Sequence, residues 1–266
     1  MTAKKINTAV ASNYTGESDR KDTIYNVHGA GNTPFRFGQR VARVFDDMAV
    51  RSIPLYNEVQ RLSAALALKY YIPETHIYDL GCSTGTTIVA LQDAFRDQAA
   101  GKKNIPPIVG IDCSAAMVSA AKTKVSALKY NRNISVEHKS IENVKFKRSS
   151  VVILNYTLQF LPLNKRADIL KKIADSVVSG GILILSEKTA EQDALKENLF
   201  TELYYDFKLK NGYTLCEIEE KKKALEGVLI PLSEKQNSEL AEAAGFTPVL
   251  KVLRGLNFVT FVGFKR

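Results

Sequence analysis

Ile77-Tyr78-Asp79-Leu80 is a short apolar run that breaks into Gly81-Cys82-Ser83-Thr84-Gly85, and no other segment restricts the fold of this chain as much. The pattern predicts a strand, a glycine turn and a helix that begins near Thr86. Gly81 and Gly85 carry no Cβ, so the backbone there can approach a ligand closely. The N-terminus of the following helix offers N–H groups to a polar or anionic group. Nucleotide-type cofactors bind at such places in open α/β sheets. A second acid, Asp112, ends the next apolar run, Ile108-Val109-Gly110-Ile111. A carboxylate there can accept hydrogen bonds from both hydroxyls of a ribose.

Strand, glycine turn, helix, strand and terminal acid also describe NAD enzymes. Two details favour S-adenosylmethionine. The middle glycine of G-x-G-x-x-G, which lets a pyrophosphate come close, is absent, and Ser83 stands near its place. Asp79 precedes the turn, where it can help to seat a cationic amino group. A turn that only joins strand to helix is the plain structural alternative.

The length of 266 residues suits one α/β domain with additions. No apolar run approaches the roughly 18 residues of a membrane span, and the first thirty residues lack an apolar signal core, so no membrane partner is expected. Cys82, Cys113 and Cys216 lie far apart and form no Cys-x-x-Cys, which fits free thiols in a reducing cytoplasm. With 3 histidines and no His/Cys cluster, no metal site is expected. The net charge of +9 is spread over most of the chain (Lys102-Lys103, Lys145, Lys171-Lys172, Lys221-Lys222-Lys223). Without a basic arm or recognition module, this reads as a solvated basic surface rather than a direct nucleic-acid interface.

Residues 1–33 read as a flexible or loosely docked leader. Helical spacing follows over Gln39–Met48 and Tyr56–Tyr70. Strands and helices then alternate, which predicts a parallel sheet with crossover helices. The expected strands are 76–80, 108–112, 134–138, 151–155 and 182–186. The expected helices are 86–97, one from the N-cap Ser114 to about 128, and 165–178, stopped by Gly180-Gly181. Residues 190–228 form a charged helical insertion. A helix over 233–244, ending at Gly245, precedes a hairpin of 247–253 and 258–264. The expected fold is α/β: a Rossmann-like, class I methyltransferase fold with a mostly parallel seven-stranded sheet, a C-terminal antiparallel hairpin and the helical insertion, all in one domain over 34–266.

Ligand groups should gather at the carboxyl ends of the strands. The candidates are Gly81, Cys82 and Ser83, then Asp112 and Cys113, then Ser140 and Ile141, and Asn155. Ile141 either covers an adenine face or is a loop apolar residue. Asn155 ends a buried strand, so its amide needs partners, and ligand contact is favoured over a structural cap. The fourth strand runs into Asn155-Tyr156-Thr157-Leu158. It lacks the paired prolines common in enzymes that methylate base amines. Arg51, near Tyr56, is a candidate for binding an anionic substrate, or else a surface ion pair.

Several of these motifs together are specific. Tyr78-Asp79-Leu80-Gly81-Cys82-Ser83, Leu154-Asn155-Tyr156-Thr157-Leu158-Gln159-Phe160-Leu161 and Leu185-Ser186-Glu187-Lys188 resemble the carboxy-S-adenosyl-L-methionine synthase family. So do Asp206-Phe207-Lys208, Asn211-Gly212-Tyr213, Leu256-Asn257-Phe258, Phe45-Asp46-Asp47-Met48 and Arg51-Ser52-Ile53-Pro54-Leu55-Tyr56. The likeness covers roughly 35–265. It implies a methyltransferase fold that uses S-adenosylmethionine and prephenate to make carboxy-S-adenosylmethionine and phenylpyruvate, with ring aromatisation as the driving force. It also implies a homodimer whose product serves carboxymethylation of a tRNA wobble uridine. The cofactor positions it implies are Tyr56, Gly81, Cys82, Ser83, Asp112, Ile141 and Asn155, and Asp79, Cys113 and Ser140 stand beside them as further candidates. Three positions depart from the family pattern. Cys113 stands for an asparagine and Ser140 for an aspartate. Lys222 stands for the arginine that holds the added carboxylate across the dimer, so charge is kept while the two-pronged grip is lost. A methyltransferase of a small molecule, and a non-catalytic binder of the cofactor, remain as alternatives.

Overall fold

A computed structural model describes residues 21–98 and 105–266. The chain enters through three helices, α1 (Gln39–Ala42), α2 (Phe45–Ser52) and α3 (Tyr56–Tyr70). The alternating part follows: β1 (His76–Leu80), α4 (Thr86–Gln98), β2 (Ile108–Asp112), α5 (Ala115–Ser126), β3 (Ile134–His138), β4 (Ser149–Asn155), α6 (Leu163–Ser176) and β5 (Val177–Lys188). Two inserted helices, α7 (Ala194–Lys210) and α8 (Leu215–Leu225), separate it from α9 (Glu234–Ala244), β6 (Val249–Gly255) and β7 (Phe258–Phe264).

The seven strands form one sheet in the order β3-β2-β1-β4-β5-β7-β6. The first five are parallel, while β7 pairs antiparallel to β5 and β6. The chain steps outward from β1 in one direction through β2 and β3, then returns to β4 on the other side. The crevice between the carboxyl ends of β1 and β4 is therefore the switch point where such sheets bind ligands. Central strands are buried on both faces, as their unbroken apolar runs require. Leu80, Val152, Leu154, Leu170 and Phe246 pack one face, and Ile77, Ile88, Leu91, Ile108 and Ile153 the other. No helix among the described residues is long and apolar enough to cross a membrane.

Local chemistry explains the element ends. Ser114 accepts the N–H of Met117 at the start of α5. Thr214 and Ser233 form reciprocal capping boxes with Glu217 and Gln236. Gly245 closes α9 in the left-handed region at φ 109°.

Three expectations are corrected. The helix expected over 39–48 is two helices, because the backbone leaves helical geometry at Val44 (φ −123°, ψ 7°). Gly180-Gly181 does not stop α6, which ends at Ser176. The glycines lie inside β5, where a Cβ on Gly181 would come within 2.6 Å of the Ser150 carbonyl oxygen, so the close approach of β4 requires glycine. Over 21–33 the leader is firmly docked rather than flexible. Residues 1–20 lie outside the described residues, but 21–33 are docked: Asp22 is buried, Tyr25 joins Phe35, Val41, Met48 and Met117 in an apolar cluster, and Gly31 donates its N–H to Glu220 of α8 at 2.7 Å.

Candidate active site at the carboxyl ends of β1 and β4

The turn after β1 is held by its neighbours. Gly81 and Cys82 both donate N–H bonds to the Ile111 carbonyl of β2, at 2.7 and 3.0 Å. Gly81 has φ 75°, and a Cβ there would sit 2.2 Å from Thr157 Oγ1. The loop after β4 therefore closes against Gly81, and only glycine fits. Ser83 lies in the left-handed region at φ 50°, costly for a side chain, and its N–H is held by Asp112 Oδ2 at 2.9 Å. Asp112 Oδ1 accepts the Ser114 N–H at 2.8 Å. Each Asp112 oxygen thus spends one acceptor site on backbone, which fixes the carboxylate and leaves further acceptor sites for a diol.

A carboxylate stands beside the N-terminus of α4. Asp46 of α2 reaches it, accepting the hydroxyls of Thr84 (2.5 Å) and Thr86 (3.0 Å) and an ion pair from Lys124 at 2.8 Å. This joins α2 to the glycine turn and to α5, and it leaves the ligand-facing edge of the turn to Asp79 and Asp112.

Asp79 is the electrostatic centre of the crevice. It is 1% exposed, and its Oδ2 has no hydrogen-bond partner. Burial, reinforced by the Asp112 charge, pushes its carboxyl from 3.8 up to about 8. A buried acceptor left in this state suits a cation that arrives with its own N–H donors. Tyr56, at the start of α3, is buried in the field of Asp46 and Asp79, which with burial raises its phenol. Its ring stacks on Tyr156 at 6.2 Å, and Tyr156 is itself at φ 58°.

Other expected contacts have different surroundings. Asn155 donates to Ser63 Oγ at 3.3 Å and accepts from Ser186 at 2.8 Å, so its amide ties β4 to α3 and β5 rather than standing free for ligand. Ile141 is buried in the apolar cluster with Leu80, Val144 and Leu158, the packing role of its two readings. Ser140 precedes the short turn Ile141–Asn143, and Cys113 is exposed, its carbonyl accepting from His138 at 3.0 Å.

Of the two readings of Arg51, the ligand-free structure holds the ion pair, which is largely buried rather than on the surface. It bonds Asp47 at 2.9 Å, the Asp22 carbonyl at 2.7 Å and the Asn211 carbonyl at 3.3 Å, and lies 4.0 Å above the Tyr213 ring. The hydroxyl of Tyr213 donates to Asp22 at 2.7 Å, and Lys221 donates to Ser52 at 3.0 Å. This buried knot pins residues 21–33 to α2 and α8. The partners lie too far along the chain for spacing to reveal them.

Lys222 sits on the exposed side of α8, bonded to the Tyr205 hydroxyl, which raises its ammonium. It acts electrostatically on Lys188 and Lys208. Those two lysines, with Tyr204, were given no role by the sequence, although both occur in the family-like motifs. They connect to the crevice through aromatic rings: Tyr156 meets Phe258 at 5.9 Å, and Phe258 meets Tyr204 at 5.4 Å.

Residues 77–181 match a family model described as a methyltransferase domain. The fold is similar to human N-acetylserotonin methyltransferase in complex with SAM, with a TM-score of 0.58 and 14% identity over 91% of this chain and 57% of that one. It is also similar to an O-methyltransferase family protein from Burkholderia thailandensis, with a TM-score of 0.60 and 16% identity over 88% of this chain and 64% of that one. Sheet order, hairpin and the acids ending β1 and β2 thus define an S-adenosylmethionine-dependent transferase with the class I methyltransferase fold. Closer relatives narrow this. Carboxy-S-adenosyl-L-methionine synthase from Trichodesmium erythraeum is 41% identical over 93% of this chain and 95% of that protein. The Wolinella succinogenes protein of the same name is 41% identical over 87% of this chain and 93% of that one. The chain belongs to the carboxy-S-adenosyl-L-methionine synthase family.

Proposed function

We propose that this enzyme converts S-adenosylmethionine and prephenate to carboxy-S-adenosylmethionine and phenylpyruvate, and that the product serves carboxymethylation of a tRNA wobble uridine. The observation that carries the reading is the buried, unpartnered Oδ2 of the Asp79 carboxyl beside a fixed Asp112, in a chain whose relatives along nearly its whole length are named for this product. The residues fit the nucleoside. Asp79 offers a buried acceptor to its amino group, Asp112 two oriented oxygens to its ribose, and Gly81 room for close backbone approach. When bound, the sulfonium compound would supply an acidified methyl carbon that gives up a proton and takes up the carboxyl group lost as the acid's ring becomes aromatic, the proton and the ring hydroxide leaving as water.

The chain's own contribution is placement. Tyr56, Tyr156 and Phe258 form an apolar wall that keeps water from the reacting carbon. Lys222 offers positive charge to the added carboxylate, as a point charge rather than a fork. A homodimer forms part of the proposal, supported by exposed Leu195, Leu199 and Leu203, four residues apart on α7. A cytoplasmic location accords with three free cysteines.

One observation favours a second reading, transfer of the methyl group itself to a small molecule: lysine stands where the family holds the carboxylate with arginine. Mass spectrometry of the nucleoside after incubation with S-adenosylmethionine, with and without prephenate, separates the two. A species heavier by one carbon dioxide, formed only with prephenate, is expected. Demethylated nucleoside formed in the presence of an acceptor and independently of prephenate would replace the proposal with the second reading.

A further inference from the structure

Two lysines near the crevice, one buried and one half-buried, stand without a counter-ion among the described residues. Lys208 is 7% exposed, with Nζ 4.3 Å from the centre of the Tyr204 ring. Lys188, at the carboxyl end of β5, is half-buried with Nζ 5.2 Å from the same ring. Among the described residues neither ammonium has a carboxylate within 4.0 Å. The acids that act on them do so at longer range and have other partners. Glu219 accepts the Tyr205 hydroxyl at 2.7 Å, and Glu197 accepts the Glu191 N–H at 3.0 Å. Lys221 and Lys222 add further positive charge.

This arrangement is costly in the protein alone. Burying an unpaired ammonium costs more than a ring face returns. Burial and the neighbouring lysines push Lys208 down to about 7. An anion reaching these ammoniums would supply the counter-charge that the protein leaves out. The surroundings also limit that anion. Tyr204 is fixed by its hydroxyl bond to the Ser52 carbonyl at 2.9 Å, and the rings of Phe258 and Tyr156 continue from it to Tyr56 in the crevice. A carboxylate on a six-membered ring, or a short link away from it, matches this run of aromatic side chains with cations at one end.

We propose that Lys188 and Lys208, over the ring of Tyr204, form a carboxylate subsite for the donor acid, holding the carboxylate that stays with the departing ring while the transferred one faces the sulfonium methyl. The inference rests on the reading of a ring dicarboxylic acid as donor. It adds a division of labour: Lys222 serves the carboxyl group that moves, and Lys188 with Lys208 the one that remains. The departing acid then keeps its grip at the subsite until the ring has aromatised.

The test uses the full chain with S-adenosylmethionine bound, and titrates phenylpyruvate and its uncharged analogue phenylacetone by calorimetry. Wild type should bind phenylpyruvate at least thirtyfold more tightly than phenylacetone, and equal binding would overturn the subsite without any variant. Lys188→Met and Lys208→Met keep the apolar stems and remove the charges. Each should weaken phenylpyruvate at least tenfold, raise KM for prephenate more than it lowers kcat, and leave S-adenosylmethionine affinity within twofold. Lys208→Met should also raise the Tm of the ligand-free protein, which a lysine serving only structure would not do. Unchanged phenylpyruvate affinity in both variants overturns the proposal even if carboxylated product still forms. Charge-dependent phenylpyruvate binding in a protein that forms no carboxylated product keeps the anion subsite and removes the reading beneath it.

Discussion

Asp79 links the ligand-free protein's stability to its cofactor. Its carboxyl is raised from 3.8 to about 8, so it is about nine-tenths protonated at pH 7 before ligand binds. The unfolded chain ionises it near 3.8. Its folded value is the higher one, so its contribution to stability is fully present below pH 3.8 and is lost progressively as pH rises toward 8. Between 3.8 and pH 7 the loss amounts to about 4 kcal/mol, at about 1.4 kcal/mol per pH unit. Asp79→Asn removes the ionisable group. It should stabilise the ligand-free protein at pH 7 by about 2–4 kcal/mol, because the buried amide, which also needs partners, offsets part of the gain. An incoming ammonium reverses the balance in the wild type by favouring the carboxylate, so binding must release close to one proton at pH 7. Calorimetric titration of S-adenosylmethionine in buffers of different ionisation enthalpy reads this directly. Wild type should show a buffer-dependent heat equal to about 0.9 proton released, and Asp79→Asn a buffer-independent heat with at least tenfold weaker binding. A buffer-independent wild-type heat, or full affinity in the variant, would refute the assignment of Asp79 to the amino group.

Other perturbations have similarly direct outcomes. Gly81→Ala drives a methyl group into Thr157 at an unfavourable φ, and urea unfolding should show a loss of about 1–3 kcal/mol. Arg51→Met, which opens the knot of Asp22, Asp47 and Tyr213, should cost about 3 kcal/mol by the same measurement while KM for prephenate changes less than twofold. A large rise in KM with unchanged stability would restore Arg51 as a substrate residue. Lys222→Arg should slow release of carboxy-S-adenosylmethionine severalfold in a dilution chase, because two parallel N–H bonds replace one point charge. The double change Leu199→Glu and Leu203→Glu should shift the protein to monomer in sedimentation, and an unchanged mass would move the dimer contact away from α7.

Much of the fold was legible because it follows from near-neighbour chemistry. The strands 76–80 and 108–112 have those bounds since buried parallel strands need unbroken apolar runs. Ser114, Ser233 and Gly245 end helices through bonds spanning only a few residues. Asp79 and Asp112 could be placed at one crevice because strand ends in such a sheet converge there whatever the rest of the chain does. Gly180-Gly181 misled for a related reason. A glycine pair signals a break in local terms, but close packing of β4 on β5 decided its use.

The remaining assignments depended on contacts between distant parts of the chain. Arg51 reaches Asn211 across 160 residues and Tyr213 reaches Asp22 across 191, and these bonds turned an expected substrate contact and an expected loose leader into one buried knot. Asn155 was occupied by Ser63 and Ser186, and Lys188 and Lys208 met over Tyr204 only after the insertion folded back on β5. By itself the sequence determined a sulfonium-nucleoside crevice on a parallel sheet, because the periodicity and caps that build it are local. Which charged side chains stand unpaired beside that crevice was decided by tertiary structure alone, because a charge is free or spent according to what is folded against it.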